Sequence, residues 1–216
     1  MHRPTLHTAA AISLVAGLST LAHATVSTFD AGSEGWSVAD TAGAGDYSTL
    51  ISELAVTWQA AGGNPGGAIA ASDTTNNTIM FRAPESYRGN RAAAAGFNLT
   101  FDITTTHASW TADTVVVLKG AGLTLVSEFA LPMTDVWNSV TIPLVASSFR
   151  VNNAAGAVAG DDQFAALLAD VDELWINAEY GNGLIETTRL DNVNFPVPAP
   201  SVLALAPVAL ALRRRR

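Results

Sequence analysis

Apolar side chains recur at every second position through "GFNLTFDITT", at Phe97, Leu99, Phe101 and Ile103. Successive side chains of a strand point to opposite faces, so this spacing predicts a half-buried strand with a polar outer face. "DTVVVLKGAGLTLVSEF" reads as two β-rich runs that turn at Gly120-Ala121-Gly122, a hairpin. "VWNSVTIPL" and "LWINAEY" are further strand candidates, and clusters of Gly, Asn, Asp and Pro part the runs at sandwich-like spacing. One segment has a different period. "DDQFAALLADV" starts with two acids and repeats apolar residues at Phe164, Leu167, Leu168 and Val171, which predicts a short amphipathic helix. The pattern as a whole points to an all-β, two-sheet antiparallel sandwich with one short helix.

The two ends of the 216-residue chain are patterned differently. In residues 1–24, His2 and Arg3 precede an apolar run from Ala9 to Leu21, and Ala22-His23-Ala24 closes it. This is the layout of a secretory signal peptide, with cleavage expected after Ala24. Residues 25–196 then form the folded domain, and residues 197–216 a separate segment. That segment has a Pro-rich hinge, Val197-Pro198-Ala199-Pro200, an apolar run from Ser201 to Leu212, and the cluster Arg213, Arg214, Arg215 and Arg216. Twelve residues make a helix of about 18 Å, against a hydrocarbon core of ~30 Å. Pro207 disfavours a stable spanning helix further. Transient membrane insertion is therefore expected, with the arginines held at the cytoplasmic face.

Setting both ends aside sharpens the charge. All 19 acids lie between Asp30 and Asp191, against six Lys and Arg in the same region, which puts the domain near −13. Such a surface argues against nucleic acid as a partner, because phosphate binding needs cationic side chains. The chain has no cysteine, and His107 is the one histidine after residue 24. Thiol or Ser-His-Asp nucleophiles and His-rich zinc sites therefore lack their residues. No phosphate-cradling glycine motif is present either. His107, in the polar "TTTHASW", reads as a solvated turn residue.

"IMFRAPESYRGNRAAAAGFNLTFDI" resembles the opening of a laminin B domain (laminin domain IV), with an Ala-Pro turn, an aromatic and Gly-Asn before a long alternating strand. "WNSVTIPL", "FAALLADVDELWINAEY" and "ETTRLDNVNF" follow in that family's order, so the resemblance spans about residues 26–195. It implies a jelly-roll sandwich of the galactose-binding type, adhesive or matrix-forming and not catalytic. The tail resembles a bacterial PEP-CTERM sorting signal, with Ala199 where that motif has Glu. This second resemblance implies an exosortase-type processing enzyme in a Gram-negative, exopolysaccharide-forming bacterium. The protein would be exported to the outer envelope or matrix, its precursor passing through the inner membrane.

"TTRLDNVNF" holds the candidate metal chemistry. By strand parity Asp191 shares a face with Val193 and Phe195, and an inward carboxylate is costly unless paired or metal-bound. Arg189 has the same parity and could neutralise it, or backbone hydrogen bonds could satisfy it. A structural calcium ion is the alternative: related jelly-roll carbohydrate modules often hold one between their first and last strands, which here offer Asp30 and Asp191. Glycan contact would use exposed aromatics. Trp36 and Trp175 fall in strand patterns and read as core, whereas Trp110 in "THASWTAD" is the leading exposed candidate, followed by Tyr87 and Tyr180. A carboxylate-only hydrolase is a third-rank reading, since any chain with 19 acids brings some pair together. The functional expectation is a non-enzymatic surface or matrix protein that adheres to polysaccharide, or to a surface protein through a purely structural interface.

Overall fold

The computed structural model describes residues 25–43, 45–74, 77–109, 114–181 and 185–196. The described strands before the helix are β1 (Thr25–Ser27), β2 (Ser37–Thr41), β3 (Leu50–Ala55), β4 (Thr57–Gln59), β5 (Ala68–Ser72) and β6 (Thr78–Arg82). They continue with β7 (Asn98–Thr105), β8 (Val115–Gly120), β9 (Leu123–Glu128), β10 (Asn138–Pro143) and β11 (Arg150–Val151). Helix α1 (Asp161–Ala169) follows, then β12 (Val171–Asn177) and β13 (Thr187–Phe195). Sheet A runs β10-β7-β13-β5-β4, with β1 also pairing β13, and sheet B runs β11-β9-β8-β12-β6-β2-β3. Every named pairing is antiparallel. The sandwich with one short helix is the architecture expected from the apolar pattern.

The alternating run becomes β7, where Leu99, Phe101 and Ile103 are buried between the sheets. Phe97 falls outside it and is 49% exposed. The β8–β9 hairpin turns at Ala121 (φ 49°) and Gly122 (φ 72°), the paired left-handed conformation that matches the twist of its strands. In α1, Phe164, Leu167 and Leu168 face the core, while Asp161 and Asp162 sit in the first turn, where the helix dipole favours negative charge. Gln163 accepts the Gly160 N–H at 3.0 Å, capping the start. Val171 is not helical; it opens β12.

Two apolar clusters result. The larger fills the space between the sheets, with Ile79, Phe81, Val116, Leu118, Leu174 and Ile176 from sheet B facing Ile69, Leu99, Phe101, Leu190, Val193 and Phe195 from sheet A. The second lies on the other face of sheet B, where Met80, Val117, Val126 and Trp175 are covered by Tyr47. Trp36 and Trp175 are both buried as expected, Trp175 within β12 and Trp36 just ahead of β2. Trp175 belongs to the outer cluster, with the Lys119 ammonium 3.4 Å from its ring centroid. The same outer face of sheet B carries the ion pairs Arg82–Glu53 and Arg82–Glu173 beside this cluster.

The expectation of membrane insertion is corrected. Among the described residues no helix is long and apolar enough to cross a membrane. The nine-residue α1 would span about 13 Å, less than half of a hydrocarbon core. Transient insertion, the exosortase-type partner that required it, and localisation through an inner-membrane stage to the outer envelope are accordingly withdrawn. The segments that suggested them, residues 1–24 with the cleavage position after Ala24 and residues 197–216 with Val197, Pro198, Ala199, Pro200 and Arg213 to Arg216, lie outside the described residues.

Candidate glycan-binding face

The outer face of sheet A is built by β13 and its neighbours, and a β-bulge decides what points there. Asp191 pairs with Asp102 and Asn194 with Thr100, so Asn192 and Val193 together oppose Phe101. Asn192 takes the left-handed conformation (φ 50°) and absorbs the extra residue. The bulge resets the parity: Leu190, Val193 and Phe195 all face the core, and Asp191 points outward with Arg189 and Asp102. The expectation that Asp191 shares a face with Val193 and Phe195 is therefore wrong, because strict alternation assumes an unbroken ladder.

Although it points outward, Asp191 is fully buried. The loop Gly62-Gly63-Asn64-Pro65-Gly66-Gly67 lies over it. Its Oδ2 accepts the Asn64 N–H at 2.5 Å and its Oδ1 the Asn192 N–H at 2.7 Å. Burial pushes the Asp191 carboxyl above the usual carboxylate range; the two amides oppose the shift, and the charges of Asp102 and Asp30 add to it. Glycine is required where the loop presses closest. A Cβ on Gly63 would lie 2.7 Å from Asp191 Oδ2, and one on Gly66 (φ 93°) would lie 2.3 Å from Asp30 Oδ1. Asp30 and Asp191 thus meet opposite parts of one loop.

Asp102 completes this corner. Its Oδ1 accepts the Ser139 hydroxyl at 2.6 Å, and its Oδ2 accepts the side-chain amides of Asn64 (3.2 Å) and Asn192 (2.8 Å). The donor chemistry is all oxygen, as calcium prefers. Yet both Asp191 oxygens hold backbone N–H groups, and the Phe29 carbonyl nearby accepts the Trp58 indole N–H at 2.7 Å. Among the described residues no group of three or more His, Cys, Asp or Glu is disposed to hold a metal ion. In this arrangement hydrogen bonds satisfy the carboxylates, and Arg189 does not neutralise Asp191, since neither it nor Asp191 takes part in any ion pair among the described residues.

One position along β13, a second row crosses the same face. Arg189 pairs with Thr104 on β7 and with Ala70 on β5, and Ala70 pairs with Thr57 on β4. Trp137, half-buried, stands one residue before Asn138↔Ile103 and so extends the row beyond Thr104. Here a cleft of about 110 Å³ opens, lined by Thr104, Thr106, Asp135, Trp137, Thr187 and Arg189, with Thr105 beneath. The Arg189 guanidinium makes no hydrogen bond or ion pair among the described residues, and its Nε is wholly shielded from solvent. A half-buried indole, a cation without a partner and several hydroxyls are the side-chain types that recognise a polyhydroxylated ligand.

Of the aromatics expected to meet a ligand, Tyr87 and Tyr180 lie inside the core. Tyr87 is buried against Trp36, and its hydroxyl donates to the Val193 carbonyl (3.0 Å) within reach of Ser27 Oγ (2.9 Å). Tyr180 is buried too, its hydroxyl donating to the Asn177 carbonyl at 2.8 Å. Burial raises the pKa of both phenols. Trp110 lies outside the described residues. His107 is partly buried, with Nε2 3.0 Å from Ser109 Oγ. Trp137, Asp102 and the glycine loop were not singled out by sequence reasoning. Trp137 was within reach of it, because it has the same parity as Ser139 and Thr141 on the polar side of "WNSVTIP".

Comparisons with known proteins agree with this architecture. Mouse laminin subunit alpha-1 is 29% identical over 143 residues, which take in 62% of this chain and 4% of that much longer protein. The L4b domain of human laminin alpha-2 superposes with a TM-score of 0.66 at 16% identity, over 82% of this chain and 99% of that domain. The family 11 carbohydrate-binding module of the Clostridium thermocellum cellulase Lic26A-Cel5E superposes with a TM-score of 0.51 at 18% identity, over 83% and 97%. At such identities the two superpositions speak for the fold alone. The sequence itself matches the family Laminin B (Domain IV) over residues 80–207, and the chain belongs to that family.

Proposed function

We propose that this laminin B domain is a non-enzymatic adhesion module that binds polysaccharide through the outer face of sheet A. The observation that carries the reading is the row Trp137–Thr104–Arg189, where a guanidinium with no partner among the described residues and a half-buried indole share one cleft on an otherwise hydroxyl-rich surface. A fold shared with a carbohydrate-binding module is compatible with that role and does not by itself assign it. Hydrolysis finds no support in the acid pair of this face: a glycosidase needs a carboxyl free to exchange a proton with its substrate, and Asp191 lies under the glycine loop with both oxygens engaged. A structural calcium ion at Asp30 and Asp191 belongs to the same proposal. It would have to displace the Asn64 and Asn192 amides.

The test is binding of the full chain to a panel of neutral and acidic polysaccharides, in calcium and again in EDTA. Selective, competable binding that Trp137→Ala weakens supports the reading. No binding by folded protein in either buffer overturns it. The second reading, a protein–protein module, rests on β3. This edge strand of sheet B leaves Leu50, Ile51 and Leu54 37%, 52% and 38% exposed, a surface suited to strand addition by a partner.

A further inference from the structure

We infer that Arg189 makes the sheet A cleft a subsite for a carboxylate, so that the polysaccharides this face selects are those carrying uronic acids. The inference rests on the glycan-binding reading and specifies its ligand. Arg189 stands between Thr104 and Ala70 in the middle of the sheet, where neighbouring strands hold its backbone on both sides. Its guanidinium has no hydrogen bond or ion pair among the described residues, although its Nε is shielded from water. A planar fork of donors in that setting is matched by a planar carboxylate, which it can grip through two parallel bonds.

The size of the cleft agrees. About 110 Å³ holds one substituent and its remaining water, well below the several hundred Å³ of a site that encloses a whole ligand. The sugar ring would then lie across the surface, against Trp137, with its acid group directed down to Arg189. Thr104 and Thr106 stand along the floor for hydroxyl contacts. Asp135 is the local opposing feature: it lines the same cleft, is exposed and, like the domain's net charge near −13, has the wrong sign for an anion. That opposition fixes a sign. For a carboxylate ligand, removing the Asp135 charge strengthens binding; for a neutral sugar that uses Asp135 as a hydroxyl acceptor, it weakens binding.

The experiment compares the full chain with polygalacturonate and with the same polymer fully methyl-esterified, which keeps the backbone and removes the charge. The expected result is at least tenfold tighter binding of the acid form. Arg189→Gln should lower that affinity about ten- to hundredfold, the usual effect of losing a charge-assisted pair, and Asp135→Asn should raise it. Unchanged melting temperatures show that both variants remain folded. Equal affinity for the two polymers, or an Asp135→Asn variant that binds less, overturns the carboxylate subsite and leaves a neutral-glycan face standing. Binding to neither polymer, nor to any other polysaccharide of the panel, overturns the glycan reading as well.

Discussion

The Asp191 carboxylate and the Asn64 backbone amide, 127 positions apart in sequence, meet at 2.5 Å beneath the glycine loop. That one contact closes the corner where the loop, the bulge of β13 and the start of the domain converge. Asp191→Ala leaves two N–H groups, those of Asn64 and Asn192, without their acceptor. Each lost charge-assisted bond costs about 1.5–3 kcal/mol, so the variant should unfold in urea at least ~2 kcal/mol earlier than the parent chain. Asp191→Asn, which keeps one acceptor, should fall between the two. A variant as stable as the parent would show that the loop is held by something else.

Glycine at position 66 should be as necessary as the acid it approaches. Gly66→Ala must fit a Cβ 2.3 Å from Asp30 Oδ1 at a φ of 93°. A loss of about 1–3 kcal/mol follows from strain of this kind, whereas Gly43→Ala, with nothing within 4 Å, bears only the backbone term. Urea melts of the two variants give the comparison, and an equal loss in both would contradict the close packing at Asp30.

Two buried acids set the pH response. Burial raises the carboxyl pKa of Asp191 and of Glu186 above their ordinary values, with Asp102 and Asp30 adding to the first and Asp73 to the second. The folded chain then holds protons that the unfolded chain has already released, from about pH 4 upward. This contribution to stability is complete below the unfolded pKa and is lost as pH rises through the folded values. Urea midpoints should therefore decline as pH rises above about 4, the ordinary carboxylate range, and Glu186→Gln should flatten the decline. A midpoint that climbs with that rise, or a slope untouched by the substitution, would contradict the assignment.

Tyr87 separates structural from ligand-facing aromatics. Tyr87→Phe removes the hydroxyl that bonds Val193 and contacts Ser27, at a cost of about 1 kcal/mol. Polysaccharide affinity should not change. Trp137→Ala should do the reverse, leaving the melting temperature nearly intact and weakening binding. If Tyr87→Phe lost affinity at equal stability, the separation of this core tyrosine from the ligand-facing surface would be contradicted.

The sequence discloses whatever depends on short-range period. Leu99, Phe101 and Ile103 alternate within one unbroken strand, and Phe164, Leu167 and Leu168 repeat within one helix, so both elements follow from local spacing. Asp191 fails that logic because a single extra residue, Asn192, inverts the face of everything before it, and only its left-handed φ marks the place. Tyr87 and Tyr180 mislead for a different reason. Their polar neighbours in sequence suggest exposure, but Ser27, Val193 and Asn177 satisfy the hydroxyls inside. The burial of Asp191 depends on a loop more than a hundred residues away, and no local pattern encodes such closure.

Amide hydrogen exchange of the full chain, with and without a saturating polysaccharide chosen from the panel, locates the ligand directly. Protection concentrated in residues 98–106, 137–141 and 187–194 is the expected result, since those segments carry Asp102, Thr104, Trp137 and Arg189 on one face. Protection confined to β3 and its neighbours in sheet B, or none at all under saturation, would contradict a glycan-binding face on sheet A.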